Sequence, residues 1–218
     1  SKGVQDYFSK IYGRETCFIP NGVNRPKLRE AEMISKKFGI SKDSYILFLG
    51  RLVPEKGIRY LVEAFKQVKT DKKLVIAGGS SDINSFMKEL QELAKADDRI
   101  IFTGFVQGQL LDELYSNAYI YTLPSDLEGM PLSLLEAMSY GNCCVVSDIP
   151  ECTEVVEDKA LIFKKADIND LRDKLQSTCD YPRMVTKLKQ QAADFICKKY
   201  NWDDVVEETM QLYRRVRK

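Results

Sequence analysis

The sequence predicts an α/β domain of the Rossmann-like type, in which helices cover both faces of a doubly wound parallel sheet. Two observations support this prediction. Short, nearly continuous apolar runs alternate with amphipathic helical patterns, and turn glycines and charged residues follow directly after the runs. Strands that are buried on both faces have unbroken apolar sequences, as in parallel sheets. Ligands of such sheets bind beyond the carboxyl ends of the strands, so the residues there are the candidates for function.

Six apolar runs are predicted to be strands. They lie at 45–49, 73–77, 100–102, 119–123 and 143–146, with a weaker run at 160–163. After the first run, apolar residues such as Ile58, Leu61 and Phe65 recur at helical spacing. A later helix is expected to open near Pro131. Outside this core, helices are predicted at about 1–12, 28–38, 168–179, 184–199 and 203–217.

Composition excludes several classes of function. The 218 residues carry a net charge of +1, whereas nucleic-acid-binding proteins usually have a strong basic excess, so no nucleic-acid partner is expected. The six cysteines form no C-x-x-C pair and histidine is absent, so a zinc site has almost no support and no metal is expected. Cys143 and Cys144 are interpreted as small core residues.

The sequence also bears on localisation. It has neither a long apolar run nor an N-terminal signal core, and its cysteines suit a reducing compartment, so we expect a cytoplasmic protein. The C-terminal cations are interpreted as the last turn of a helix, where they interact favourably with the helix dipole; they are Arg214, Arg215, Arg217 and Lys218. A peripheral membrane contact is the alternative.

The first candidate site is the segment 50–57, G-R-L-V-P-E-K-G, directly after the first strand. Gly50 is expected to let the chain turn sharply at the sheet edge. Arg51 can bind a phosphate with two parallel hydrogen bonds, and Lys56 adds a mobile positive charge. The alternative is a solvated charged loop in which Glu55 pairs locally.

The second candidate site is the segment 125–141, S-D-L-E-G-M-P-L-S-L-L-E-A-M-S-Y-G. Glu128 lies in a loop and Glu136 lies in the following helix, and each carboxylate could accept two hydrogen bonds from a vicinal diol of a sugar. Free N–H groups at the helix start favour phosphate or hydroxyl binding. In the alternative, Glu136 is a solvent-facing helical residue, although its apolar neighbours argue against this.

Small turns follow the other predicted strands. Gly78 follows the second strand, Gly104 and Phe105 follow the third, and Ser125 follows the fourth. A pocket for a nucleotide base could form near Phe105. Each turn alone is weak evidence, because any doubly wound sheet needs glycines at this edge.

These segments together resemble a known family. The order G-R-L-x-x-E-K-G, V-I-A-G-G, F-T-G-F-V, L-P-S-D-L-E-G-M-P-L-S-L-L-E-A-M-S-Y-G and V-V-S-D-I-P-E is similar to the C-terminal, donor-binding domain of retaining glycosyltransferases of family 4 (group 1). The resemblance covers about 45–165. I-P-N-G-V at 19–23 resembles the interdomain linker of that family, and the segment that begins Tyr200-Asn201-Trp202 resembles its closing helix.

The resemblance implies the GT-B fold, with two Rossmann-like domains facing one cleft, and a donor that is a UDP- or GDP-linked sugar, with no cofactor. It implies that Arg51 and Lys56 neutralise the donor diphosphate without a metal, and that Glu128 contacts the transferred sugar. Glu136 would hold the ribose diol, and Phe105 would lie by the base. The implied donor-binding set is Gly50, Gly78, Gly104, Phe105, Ser125, Gly129, Met130, Pro131, Leu132 and Glu136.

The same resemblance implies a division of the chain. We expect a remnant of an N-terminal domain and a linker at 1–26, the nucleotide-sugar-binding domain at 27–199 and a closing helix at 200–218. The N-terminal domain, which supplies the acceptor site in this family, is missing, so the chain alone is expected to be inactive. The apolar faces of the helices at 1–12 and 203–217 could then drive dimerisation. Gly129-Met130 stands where many relatives have Phe-Gly.

Two other functions remain open. One is another GT-B chemistry, such as a nucleotide-sugar epimerase or a phosphorylase. The other is a non-catalytic nucleotide-binding module that engages a protein partner.

Overall fold

A computed structural model describes residues 2–79 and 85–216. Within these residues, six strands form one sheet in the order β3-β2-β1-β4-β5-β6, and all neighbours are parallel. The strands are β1 Tyr45–Leu49, β2 Lys73–Ala77, β3 Ile100–Gly104, β4 Ile120–Leu123, β5 Cys144–Ser147 and β6 Leu161–Phe163. The strand order reverses between β1 and β4, which is where such sheets form a ligand crevice. The predicted Rossmann-like fold is confirmed.

The helices cover both faces of this sheet, and their order follows the predicted alternation. They are α1 Lys2–Tyr12, α2 Met33–Phe38, α3 Ile58–Lys66, α4 Ser85–Ala94, α5 Gln109–Asn117, α6 Leu132–Ser139, α7 Pro150–Val156, α8 Ile168–Asp180, α9 Pro182–Lys199 and α10 Trp202–Val216. A single 3-10 turn at Pro54–Lys56 precedes α3. The predicted helix at 203–217 is confirmed as α10, although Arg217 and Lys218 lie outside the described residues.

One helix was predicted to start too early, and one helix was not predicted. The helix predicted from residue 28 begins only at Met33, because the buried carboxylate of Glu113 accepts hydrogen bonds from the N–H groups of residues 32–34 and so fixes the start of α2. Before that point Asn117 binds the Arg29 carbonyl at 3.0 Å and keeps the chain out of the helix. The short helix α7 was not predicted.

The core contains the strands and the inner faces of the flanking helices. Cys143 and Cys144 are fully buried, as their apolar context predicted. Burial raises the pKa of the Cys143 thiol to about 12, so this thiol stays protonated and behaves as a small apolar side chain.

The segment at 19–23 contacts the start of α10. The Val23 N–H donates to the Tyr200 carbonyl at 2.7 Å, and a Cβ at Gly22 would come within 2.7 Å of the Trp202 ring. Both terminal helices expose large apolar side chains: Val4, Tyr7, Phe8, Ile11 and Tyr12 on α1, and Trp202, Val206, Met210, Leu212 and Tyr213 on α10. The predicted domain boundaries and the predicted dimerisation remain predictions.

The tightest backbone approach in the sheet is at Gly78. Gly78 has φ +145°, and a Cβ there would lie 1.8 Å from the Gly50 carbonyl oxygen. The chain bends at Gly50, directly after β1, as expected, but Gly50 has no positive φ. The steric requirement for glycine falls instead on Gly78, which follows the neighbouring strand β2.

We therefore expect Gly78→Ala to lower the free energy of unfolding by about 4 kcal/mol or to prevent folding. Gly104→Ala is the matched control, because Gly104 has φ +69° with open space around its Cβ position. It should cost only the roughly 1–2 kcal/mol of a left-handed alanine. Urea denaturation followed by circular dichroism measures both, and equal losses would contradict the steric account.

Candidate functional site

The loops that follow β1 and β4 meet at the point where the strand order reverses. Gly57 has φ +65° at the end of the 3-10 turn, and a Cβ there would lie 2.0 Å from the Pro124 carbonyl oxygen. The Asp126 N–H donates to the Glu55 carbonyl at 2.8 Å. The Tyr60 hydroxyl donates to the Asp126 carboxylate at 3.1 Å. These contacts fix one loop against the other.

This arrangement brings Lys56 to Glu128. The Lys56 Nζ atom lies 2.5 Å from Glu128 Oε1, and the two side chains are only 14% and 6% exposed. The Ser125 hydroxyl donates to the same oxygen at 2.6 Å, and the Ser147 hydroxyl in turn donates to the Ser125 carbonyl at 2.6 Å. Three of the predicted site residues are thus in contact. Lys56 pairs with Glu128, across the loops, rather than with its neighbour Glu55.

Arg51 lies in a different environment from Lys56. It is exposed, and within the described residues no hydrogen bond or ion pair holds its guanidinium. It lines a cavity of about 420 Å³ together with Leu49, Gly50, Gly78, Gly79, Phe105 and Val106. Phe105 is 73% exposed there, so its ring is available to a flat ligand. The structure therefore brings four predicted residues, Gly50, Arg51, Gly78 and Phe105, to one cavity.

Glu136 lines a second cavity. This cavity measures about 500 Å³ and is bounded by α5, α6, the segment 21–26 and Trp202, with Leu132 also in its lining. The Tyr115 hydroxyl donates to Glu136 Oε2 at 3.1 Å. Partial burial raises the pKa of the Glu136 carboxyl, and the hydrogen bond from Tyr115 opposes this rise.

A hydrogen-bonded link joins the start of α6 to the end of β1, where the Arg51 cavity begins. The Tyr121 hydroxyl on β4 is hydrogen-bonded to the Leu49 carbonyl at 3.2 Å and to the Ser133 hydroxyl at 2.8 Å. Since Ser133 lies one turn before Glu136, this link fixes the helix that carries Glu136 against the strand that leads to Arg51.

The turn before α6 forms a small crevice of its own, lined by Gly129, Met130 and Pro131. The Leu132 N–H donates to the Met130 carbonyl at 2.9 Å, so this helix-start donor is satisfied within the turn rather than free as predicted. Gly129 is exposed, with no atom within 4 Å of its Cβ position. Gly104 is the last residue of β3 instead of following the strand, and it lines none of these cavities in the described part of the chain.

Sequence reasoning missed four polar residues that support the site. They are Tyr60, Tyr115, Tyr121 and Ser147. Ser147 ends a strand, the same signal that singled out the other candidates, whereas the tyrosines have the sequence signature of core aromatic residues.

The described residues contain neither a cluster of metal-binding side chains nor a membrane-spanning helix. In residues 2–79 and 85–216, no group of three or more histidine, cysteine, aspartate or glutamate side chains could hold a metal ion. In the same residues, no helix is both long and apolar enough to cross a membrane.

Comparison with known proteins places the chain in a family. Residues 30–195 match the family model described as glycosyl transferases group 1. The chain belongs to this family. A glycosyltransferase of Methanocaldococcus jannaschii described as uncharacterized is 30% identical over 187 residues, which cover 82% of this chain and 47% of that protein. The chain spans about half the length of the curated relatives it matches.

Solved structures of glycosyltransferases share the fold. Sucrose-phosphate synthase from Thermosynechococcus elongatus superposes with a TM-score of 0.84 at 25% identity, over 99% of this chain and 57% of that one. The Anabaena protein HepE in complex with UDP and glucose superposes with a TM-score of 0.72 at 18% identity, over 84% of this chain and 50% of that one. These matches support the GT-B assignment.

The Lys56–Glu128 pair generates a prediction about stability. Lys56→Met leaves a buried carboxylate without its cation, which should lower the free energy of unfolding by roughly 3 kcal/mol. Arg51→Met is the matched control and should change it by about 0.5 kcal/mol or less, because Arg51 is exposed. Chemical denaturation measures both. Equal effects of the two substitutions, or no recovery in Lys56→Met/Glu128→Gln, would contradict the buried pair.

Proposed function

We propose that this chain is the donor-binding half of a retaining, metal-independent glycosyltransferase that transfers a sugar from a nucleoside diphosphate to an acceptor. The observation that carries the proposal is the buried Lys56–Glu128 pair at the point where the strand order reverses, with the exposed Arg51 side chain on the same loop after β1 as Lys56. Membership in group 1 supports a glycosyl transfer.

The cations would act on the leaving group. Negative charge builds on the diphosphate as the bond to the sugar breaks, and fixed positive charges lower the energy of that transition state. Arg51 has a guanidinium that is free to take two phosphate oxygens, while Lys56 is held in place by Glu128. We therefore propose that these two side chains, rather than a metal ion, stabilise the departing diphosphate.

Glu128 would hold the transferred sugar. Its recorded hydrogen bonds from Lys56 and Ser125 both go to Oε1, and among the described residues none goes to Oε2. The carboxylate is therefore oriented by one oxygen and can accept from sugar hydroxyls with the other. Gly129 and Met130 would contribute backbone contacts to the same sugar.

The nucleoside would lie between the cavity that contains Glu136 and the cavity that Arg51 and Phe105 line. Glu136 would accept hydrogen bonds from the ribose hydroxyls, and Phe105 would lie against the base. The HepE structure contains UDP, which supports a UDP-linked donor here; GDP is the other donor nucleotide that we consider.

The acceptor site would belong to a second domain. The curated relatives are about twice as long as the matched region, and α1 and α10 expose apolar side chains that such a domain could cover. We therefore propose that the chain alone binds the donor but transfers little sugar. We also propose that the protein acts in the cytoplasm. A peripheral membrane contact and dimerisation through the exposed helices are two further proposals that experiments can test.

Nucleotide binding tests the donor site. We expect calorimetric titration of the protein with UDP, GDP and ADP to show binding of at least one nucleotide, weakening as salt concentration rises. Arg51→Ala should raise Kd about tenfold or more, since it removes a charge-assisted hydrogen-bonding group. Failure of all three nucleotides to bind at millimolar concentration would overturn the proposal.

Catalysis by the complete protein tests the role of the carboxylates. Glu128→Gln should lower kcat/KM for donor consumption by about a hundredfold, since it removes a charged contact to the reacting sugar. Glu92→Gln, on exposed α4, is the control and should leave kcat/KM unchanged. Full activity of Glu128→Gln would contradict the role of Glu128, and no donor consumption by the unsubstituted complete protein would favour a non-catalytic nucleotide-binding module.

A further inference from the structure

We infer that Tyr115 is a positioning residue, whose buried hydroxyl sets the orientation of the Glu136 carboxylate and thereby the strength of ribose binding. This inference rests on the proposed function, because it takes Glu136 as the group that meets the ribose diol. Tyr115 lies on α5 and Glu136 on α6, so the contact joins two helices that the sequence separates by a strand.

The Tyr115 ring is buried and contacts two other tyrosine rings. It is 1% exposed and stacks on Tyr140 with ring centroids 5.1 Å apart and planes inclined by 21°. Its other neighbour is Tyr121, with centroids 6.1 Å apart. In a packed interior a ring in this position cannot swing, so its hydroxyl is a fixed donor.

The two helices are also tied together beside this contact. The Asn142 side-chain amide donates to the Tyr115 carbonyl at 2.9 Å and to the Ala137 carbonyl at 3.0 Å. The Tyr115 hydroxyl also lies 3.3 Å from the Ser133 carbonyl oxygen, one turn before Glu136. The donor and the helix that carries its acceptor therefore move together.

A phenylalanine at position 115 would keep the packing of the ring, so the contribution of the hydroxyl is its hydrogen bonding. A buried hydroxyl is costly unless it is hydrogen-bonded, and the partners here are the Glu136 carboxylate and the Ser133 carbonyl. Glutamate has a long, flexible side chain, and Glu136 is otherwise exposed. One fixed donor on Oε2 selects an orientation before the ligand arrives, which reduces the entropy cost of binding.

The neighbouring tyrosine provides a control. Tyr140 belongs to the same stack, but its hydroxyl donates to Asp112 Oδ1 at 2.7 Å rather than to Glu136. Tyr140→Phe therefore removes one hydroxyl from the same cluster without removing a hydrogen bond from Glu136.

The groups that face Glu136 also predict a pH effect. Among the described residues, the ionisable groups around it are Tyr115 and Asp112 from α5 and Tyr140 directly after α6, with Arg29 next to Asp112. The Tyr115 hydrogen bond lowers the pKa of the Glu136 carboxyl, so its removal raises that pKa. As the solution is acidified, the Glu136 carboxylate of Tyr115→Phe should become protonated at a higher pH than in the unsubstituted protein. Nucleotide binding should therefore be lost at a higher pH in the variant.

The test compares UDP with 2′,3′-dideoxy-UDP, or the corresponding GDP pair, by calorimetric titration of the protein. We expect Tyr115→Phe to raise Kd for the ribonucleotide about threefold to tenfold and to leave Kd for the dideoxy compound unchanged. Tyr140→Phe should change neither. In a Glu136→Ala background, which has no acceptor for the Tyr115 hydroxyl, Tyr115→Phe should have no further effect.

Equal weakening of both nucleotides, or no weakening of either, would overturn the inference while leaving the donor site intact. Absence of binding to the unsubstituted protein would instead remove the proposed function. If Tyr115→Phe does not fold, Glu136→Asp is the second variant for the same titrations. It keeps the negative charge but withdraws the carboxylate from the Tyr115 hydroxyl. It should reproduce the loss for the ribonucleotide alone.

Discussion

The close contact between Gly57 and the Pro124 carbonyl is the constraint on which the candidate site depends. It lets the loop after β1 lie directly against the loop after β4, with no side chain between them. Only at this distance can Lys56 reach Glu128, and only with both loops fixed does Ser125 orient the same carboxylate. The strand order places the loops after β1 and β4 side by side, and the positive φ of Gly57 allows their backbones to come into contact.

The two cations of the site have different electrostatic roles. The charge of Lys56 is largely balanced by Glu128 before any ligand binds, so it contributes position more than attraction. Arg51 is exposed, and its charge extends into the cavity that it lines. Arg51 is exposed and Lys56 is paired, so neither charge is buried without compensation, which would be costly for the free protein.

Most of the fold could be predicted from sequence because buried parallel strands leave an unbroken apolar signal. The runs at 45–49 and 73–77 coincide with β1 and β2. The start of α2 could not be predicted, because Glu113, which fixes it, lies about 80 residues further along the chain. The sequence likewise indicated that Lys56 and Glu128 bear charge at the sheet edge. Their pairing depends on which strands are neighbours, and local patterns do not contain that information.

The contact of Gly22 with Trp202 has a mechanical consequence. Both residues line the cavity that contains Glu136, and the Val23–Tyr200 hydrogen bond fastens the two segments beside it. A rotation of the backbone at 20–23 would move the Trp202 indole and change the width of that cavity. Movement of any domain attached through this segment would therefore be coupled to the width of the cavity that contains Glu136.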